Sequence, residues 1–138
     1  MKFCGVEIKA KEAILAIVES DTEGNFLHIR STSKKLTLSD DRDCKSVEVL
    51  YEAIKALAKD HKLSGFVIKT RQTKGAMAAG GVTFKIEALF QLSGTPVDFI
   101  SPQALSKLAS KNAGGIPATI KQYQSDAFLA AVSQLAKL

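Results

Sequence analysis

The chain has 138 residues, 46% of them hydrophobic and 24% charged, which excludes a disordered chain and leads us to expect one domain spanning 1–138. Its net charge of +5 favours anionic over cationic partners, as non-specific attraction only. Cys4 and Cys44, the only cysteines, lack CxxC or Cys/His spacing and so do not make a zinc cluster.

No stretch approaches the ~18 apolar residues of a membrane span. The N-terminus lacks the apolar core of a signal peptide. We therefore expect no membrane partner and a cytoplasmic location, where thiols stay reduced.

Phe3 to Ile8 reads as a strand, with Cys4 a buried free thiol. Glu12 to Glu19 reads as a second, β-branched and mostly apolar through Ala13-Ile-Leu-Ala-Ile-Val18. Asp21-Thr-Glu-Gly-Asn25 is a turn in which Gly24 and Asn25 tolerate positive φ. Phe26 to Arg30 alternates and completes an antiparallel meander. Ser31 to Lys45 is polar and mixed in charge, a loop or frayed edge.

Ser46 is placed to cap a helix, with Glu48 in its first turn. Val47, Leu50, Tyr51, Ile54, Leu57, Ala58 and His61 then keep helical spacing. Lys59, His61 and Lys62, followed by Gly65, end it. Phe66-Val-Ile68 has the unbroken apolar character of a strand buried on both faces.

Thr83 to Leu92 reads as helix and Val97 to Ile100 as strand. Ser101-Pro102 starts a helix reaching about Ser110. Ala118 to Tyr123 has helical character, and Ser125 is placed to cap a last helix burying Phe128, Leu129, Val132 and Leu135. Strands separated by helices run parallel through right-handed crossovers. The fold class is therefore α/β, a mixed five-stranded sheet flanked by helices; the resemblance given below implies the strand order 3-2-1-4-5.

The segment Lys69-Thr-Arg-Gln-Thr-Lys-Gly-Ala-Met-Ala-Ala-Gly-Gly-Val-Thr-Phe-Lys85 is unlike its surroundings. Lys69 ends a predicted parallel strand, where open α/β sheets bind ligands. Arg71 and Lys74 follow. Gly80 and Gly81 let backbone amides approach an anion just before a helix start, which attracts phosphate, and Lys85 adds a cation. The segment is not a Walker loop, and a solvated connection accounts for it too.

Glu7 is a carboxylate in an apolar strand and needs a partner or a metal, because burying a lone charge is costly. A salt bridge to Lys69 serves as well. Asp126 stands in a helix's first turn, where acids are favoured anyway. Glu87 shares with Thr83 and Gln91 a face that reads as solvated. His28 and His61 lack metal-ligand spacing. Without Trp, and with its aromatics spread through the core pattern, the chain shows no stacking platform for single strands.

Gly5-Val-Glu7 resembles the Gly-Ile-Asp that closes the first strand of RuvC-type Holliday-junction resolvases. Ser125-Asp-Ala-Phe-Leu-Ala-Ala131 resembles their last helix, in which Asp-Ala-(apolar)-(apolar)-Ala carries an acidic ligand. Gly65-Phe-Val-Ile68, and Val97 to Ile100 with Ser101-Pro102, fall where their fourth and fifth strands lie. The element order is similar to the ribonuclease H-like fold. The whole chain also resembles a small group of uncharacterised bacterial proteins of that superfamily, through a shared stretch from Lys69 to Leu89.

The resemblance implies Mg2+ or Mn2+ held by about four carboxylates, with two metals cleaving a phosphodiester. Glu7 and Asp126 would be the catalytic and metal-binding residues. This sequence departs from the pattern: Glu7 replaces Asp, Lys69 stands where a carboxylate is expected, and Tyr123 stands where a second helix Asp is expected. What remains suits at most one well-hydrated metal.

The reading that follows is a protein associated with DNA or RNA and carrying a degenerate metal centre. Two others stay open. One is an active Mg2+-dependent nuclease with Glu87 or Asp98 as a further acid. The other is a non-catalytic interaction domain, with a homodimer as one form.

Overall fold

In the computed structural model, which describes residues 1–71, 80–111 and 115–138, the chain begins with two long strands. β1 (Lys2–Lys9) and β2 (Glu12–Ser20) pair antiparallel from Lys2↔Glu19 to Lys9↔Glu12. The turn to β3 (Phe26–Ile29) is built on Asp21. Its Oδ1 accepts from the amides of Glu23 and Asn25, and Gly24 takes φ +84°.

β3 pairs with Ile17–Ser20, one end of β2's outer edge. β4 (Lys35–Thr37) pairs with Glu12–Ile14 at the other end of that edge. The stretch read as a loop or frayed edge therefore contains a short strand. Three residues bonded on one side of a sheet carry too little alternation to show in a sequence.

α1 (Cys44–Asp60) starts earlier than a Ser46 cap implied. Asp43 is the cap and accepts from the amides of Lys45 and Ser46, while the Ser46 hydroxyl also donates to it. Asp is as good a cap as Ser. Taken first, it leaves Ser46 inside the helix.

β5 (Gly65–Lys69) runs parallel to β1, and β6 (Val97–Ile100) parallel to β5. Between them α2 (Gly81–Leu92) begins at Gly81 rather than Thr83, with Gly80 as its cap and no side-chain capping bond. α3 (Pro102–Lys111) starts as expected, the Ser101 hydroxyl accepting from the Ala104 amide.

The helix expected over Ala118 to Tyr123 is only a 3-10 turn at Gln122–Gln124. α4 (Ser125–Leu135) follows with Gln124, not Ser125, at the cap position. Gln124 is buried, and its side chain is used elsewhere. Its Oε1 accepts from the Lys121 amide and its Nε2 donates to the Leu15 carbonyl.

The strand order is β3-β2-β1-β5-β6, with β4 paired to β2 beside this path. That is the expected order plus one edge strand. On one face Cys4, Val6, Leu15, Ile17, Phe66 and Ile68 pack with Leu50, Ile54, Ile86 and Phe90 of α1 and α2. On the other, Phe3, Ile14, Ala16, Val18 and Val67 pack with Leu105 and the apolar residues of α4. Double-sided burial is why β1, β2 and β5 are almost unbroken apolar runs. Both cysteines are free, and burial pushes the Cys4 thiol up to about 12.

Candidate functional site

Gly5 and Val67 are register partners on β1 and β5. Two residues further on, Glu7 and Lys69 project from the same face, because strand side chains alternate. That face is the one covered by α4. A Cβ on Gly5 would lie 1.6 Å from the Ala127 carbonyl oxygen, so the backbones of α4 and β1 are in direct contact. Ala127, Ala130 and Ala131 keep the helix side of this contact small. Close approach there sets Asp126, in α4's first turn, over the ends of β1 and β5.

The three charges meet. Lys69 Nζ donates to Asp126 Oδ2 at 2.6 Å and to Glu7 Oε2 at 3.0 Å. Lys9 Nζ stands 3.9 Å from Glu7 Oε1. Sequence reasoning missed Lys9, although the i, i+2 spacing from Glu7 was its signal. Glu7 is only 3% exposed, whereas the Asp126 side chain is 40% exposed. Burial disfavours the Lys69 ammonium, but the hydrogen bonds and charges of Asp126 and Glu7 outweigh it and hold its pKa above the ordinary value. Lys69 is thus a fixed cation and a poor nucleophile or base.

This donor set does not fit the divalent ions that the resemblance implied. The facing oxygens of Glu7 and Asp126 are both occupied by an ammonium, which repels a second cation. Among the described residues no three His, Cys, Asp or Glu side chains are grouped to hold a metal ion. Tyr123, where a further acid was expected, lies under the Lys35 ammonium, 4.6 Å from the ring centroid.

The other candidates are placed differently. Arg71 is half-buried, and its Nε is buried without a hydrogen-bond partner among the described residues. Glu87 is half-buried; burial raises its pKa, and the Arg71 charge opposes the rise. The face shared by Thr83, Glu87 and Gln91 is therefore no solvated stripe, since Thr83 is buried and only Gln91 is open to water. Gly80 and Gly81 are exposed at the start of α2. Lys85 Nζ donates to the Asp41 carbonyl at 2.8 Å and to its carboxylate at 3.1 Å, which ties α2 to the approach to α1. Asp98 is exposed on β6. Lys74 lies outside the described residues. Among the described residues no helix is long and apolar enough to cross a membrane.

A comparison with curated proteins finds no match. Solved structures do match. One is T. thermophilus RuvC in complex with Holliday junction substrate, with TM-score 0.69 and 10% identity over 96% of this chain and 92% of that one. Another is the yeast mitochondrial Holliday junction resolvase Ydc2, with TM-score 0.64 and 11% identity over 96% and 77%. The Fowlpox virus resolvase with its substrate Holliday junction DNA gives TM-score 0.51 and 14% identity over 99% of each chain. At such identities the likeness is one of fold, and the fold is ribonuclease H-like. A family model described as "Protein of unknown function (DUF3010)" matches residues 1–134, and the chain belongs to that family.

Proposed function

We propose that this protein binds a nucleic acid at the carboxyl end of β5 and cleaves it poorly or not at all. The observation that carries this reading is the Lys69 ammonium hydrogen-bonded between Glu7 and Asp126. It supplies in fixed form the positive charge that a metal ion supplies in a phosphodiesterase, but it cannot activate a water. Binding is supported by the net charge of +5 and by the Arg71 Nε, which has no hydrogen-bond partner among the described residues. The start of α2, which has no side-chain cap, adds a partial positive charge. Two resolvases of this fold were solved with junction DNA. Because two carboxylates offset the Lys69 charge, phosphate contact falls mainly to Arg71 and Lys74.

The test is fluorescence anisotropy on four-way junction, duplex and single-stranded DNA and RNA at several salt concentrations, beside a cleavage assay with Mg2+ or Mn2+. Arg71→Ala with Lys74→Ala should weaken binding and flatten its salt dependence by up to about two phosphate contacts. Lys69→Asp should create Mn2+ binding, read by calorimetry with the metal alone, that the unmodified protein lacks. Efficient turnover abolished by Glu7→Gln would make the protein a nuclease instead. Absence of binding at low salt would leave an interaction domain.

A further inference from the structure

β3 and β4 share the outer edge of β2 but do not meet. β3 pairs with Ile17–Ser20 and β4 with Glu12–Ile14, so Leu15 and Ala16 lie opposite the connection that joins them. There the sheet edge opens into a cavity of about 670 Å³. Its rim is the β3–β4 connection on one side and the segment leading into α4 on the other.

The walls are built by specific bonds. The Leu15 amide donates to the Lys34 carbonyl at 2.9 Å, and the Leu15 carbonyl accepts from Gln124 Nε2 at 2.9 Å. Both outward backbone groups of Leu15 are therefore satisfied, and the gap offers no free edge for an added strand. Across the cavity His28 Nδ1 and the Thr119 hydroxyl are 2.7 Å apart.

The lining has one sign of charge. Arg30, Lys34 and Lys121 contribute full cations and His28 an imidazole, and no carboxylate lines the cavity among the described residues. None of the three cations is in a salt bridge among the described residues. Lys35 next door is paired with Glu12 at 4.0 Å. Burial lowers the His28 pKa, and the charges of Arg30 and Lys34 lower it further. Ser31, Ser33 and Thr119 place hydroxyl groups among the cations. Cations free of salt bridges among the described residues, with hydroxyls around a concave space, suit an anion with several acceptor oxygens. The volume is within the roughly 300–1,000 Å³ of small-molecule sites.

We propose that this cavity binds a phosphomonoester group. The group is carried by a free ligand of nucleotide size or by the 5′ end of a nucleic-acid strand. The site is distinct from the Lys69 cluster and does not depend on the reading given for it.

Amide NMR titrations of the whole chain test this, using inorganic phosphate, a nucleoside monophosphate, and one oligonucleotide with and without a 5′-phosphate. For phosphate and the monophosphate the expected result is shift changes confined to His28–Lys34, Leu15–Ile17 and Thr119–Gln124. Arg30→Ala with Lys121→Ala should lower affinity at least tenfold, with a native amide spectrum. Lys59→Ala with Lys62→Ala should leave affinity unchanged. Binding of the monophosphate alone identifies a free ligand. Preference for the 5′-phosphorylated oligonucleotide identifies a strand end. The proposal falls if neither phosphate nor the monophosphate shifts these amides, if their shifts spread over the basic surface, if the Lys59/Lys62 variant loses as much affinity, or if the oligonucleotide shifts the cavity amides equally well without its 5′-phosphate.

Discussion

Lys69 joins two carboxylates of unequal standing, one buried and one open to water. Lys69→Ala would leave Glu7 buried, with Lys9, at 3.9 Å, as its only counter-charge among the described residues. Breaking a buried pair from one side costs several kcal/mol. We expect about 3 kcal/mol, the low end, because water reaches Asp126. Urea unfolding measures it, and Lys69→Met combined with Glu7→Gln should recover most of the loss. The pH dependence follows from the raised Lys69 pKa. The contribution is complete below the unfolded-state value of 10.5 and is lost as pH rises through the higher folded-state value. The unmodified protein should therefore lose stability above pH 10.5 more steeply than Lys69→Met, as followed by thermal melts. Glu7 and Lys69 were legible as partners because a charge within or at the end of an apolar strand must be compensated. That Asp126 joins them was expected from the resemblance, which places all three at one end of the sheet, and not from its own position, since a helix's first turn welcomes an acid with or without a partner.

Between elements the decisive contact is α4 against β1. The overlap that a Cβ on Gly5 would make is with the Ala127 backbone oxygen and carbon, which no side-chain rotation relieves. Gly5→Ala should therefore cost about 4 kcal/mol or more, at the extreme of single substitutions. Where the variant still folds, Asp126 should move away from Lys69. Denaturation midpoints read the first effect, and loss of the Asp126 contribution in a double-mutant cycle with Lys69→Met reads the second. The long elements could be read from sequence because their periodicity extends over many residues. β4 could not, because it pairs on one side over three residues. The α1 start was misplaced because Asp43 and Ser46 are both good caps. The turn before α4 was misread because Gln124 bonds to β2, a distant partner that local sequence does not reveal.

For the whole molecule, alternation of strands and helices gave the mixed sheet and the directions of its strands, while placing the fourth strand beside the first rested on the resemblance to the ribonuclease H-like fold. The cavity beside β2 was beyond sequence reading. It is formed by residues near position 30 and near position 120, which only the folded edge brings together.

The contact at Gly5 also sets an order of events. β1 is made early in synthesis, and its cover arrives with α4. The Gln124–Leu15 bond joins residues 109 positions apart. Until α4 emerges, Phe3, Ile14, Ala16 and Val18 lack their main partners on that face. The nascent sheet must wait with one greasy side bare, a stage at which chains are prone to stick to one another. Lys69 gains Asp126 only when that wait ends, so the charge cluster marks a chain whose last helix has docked.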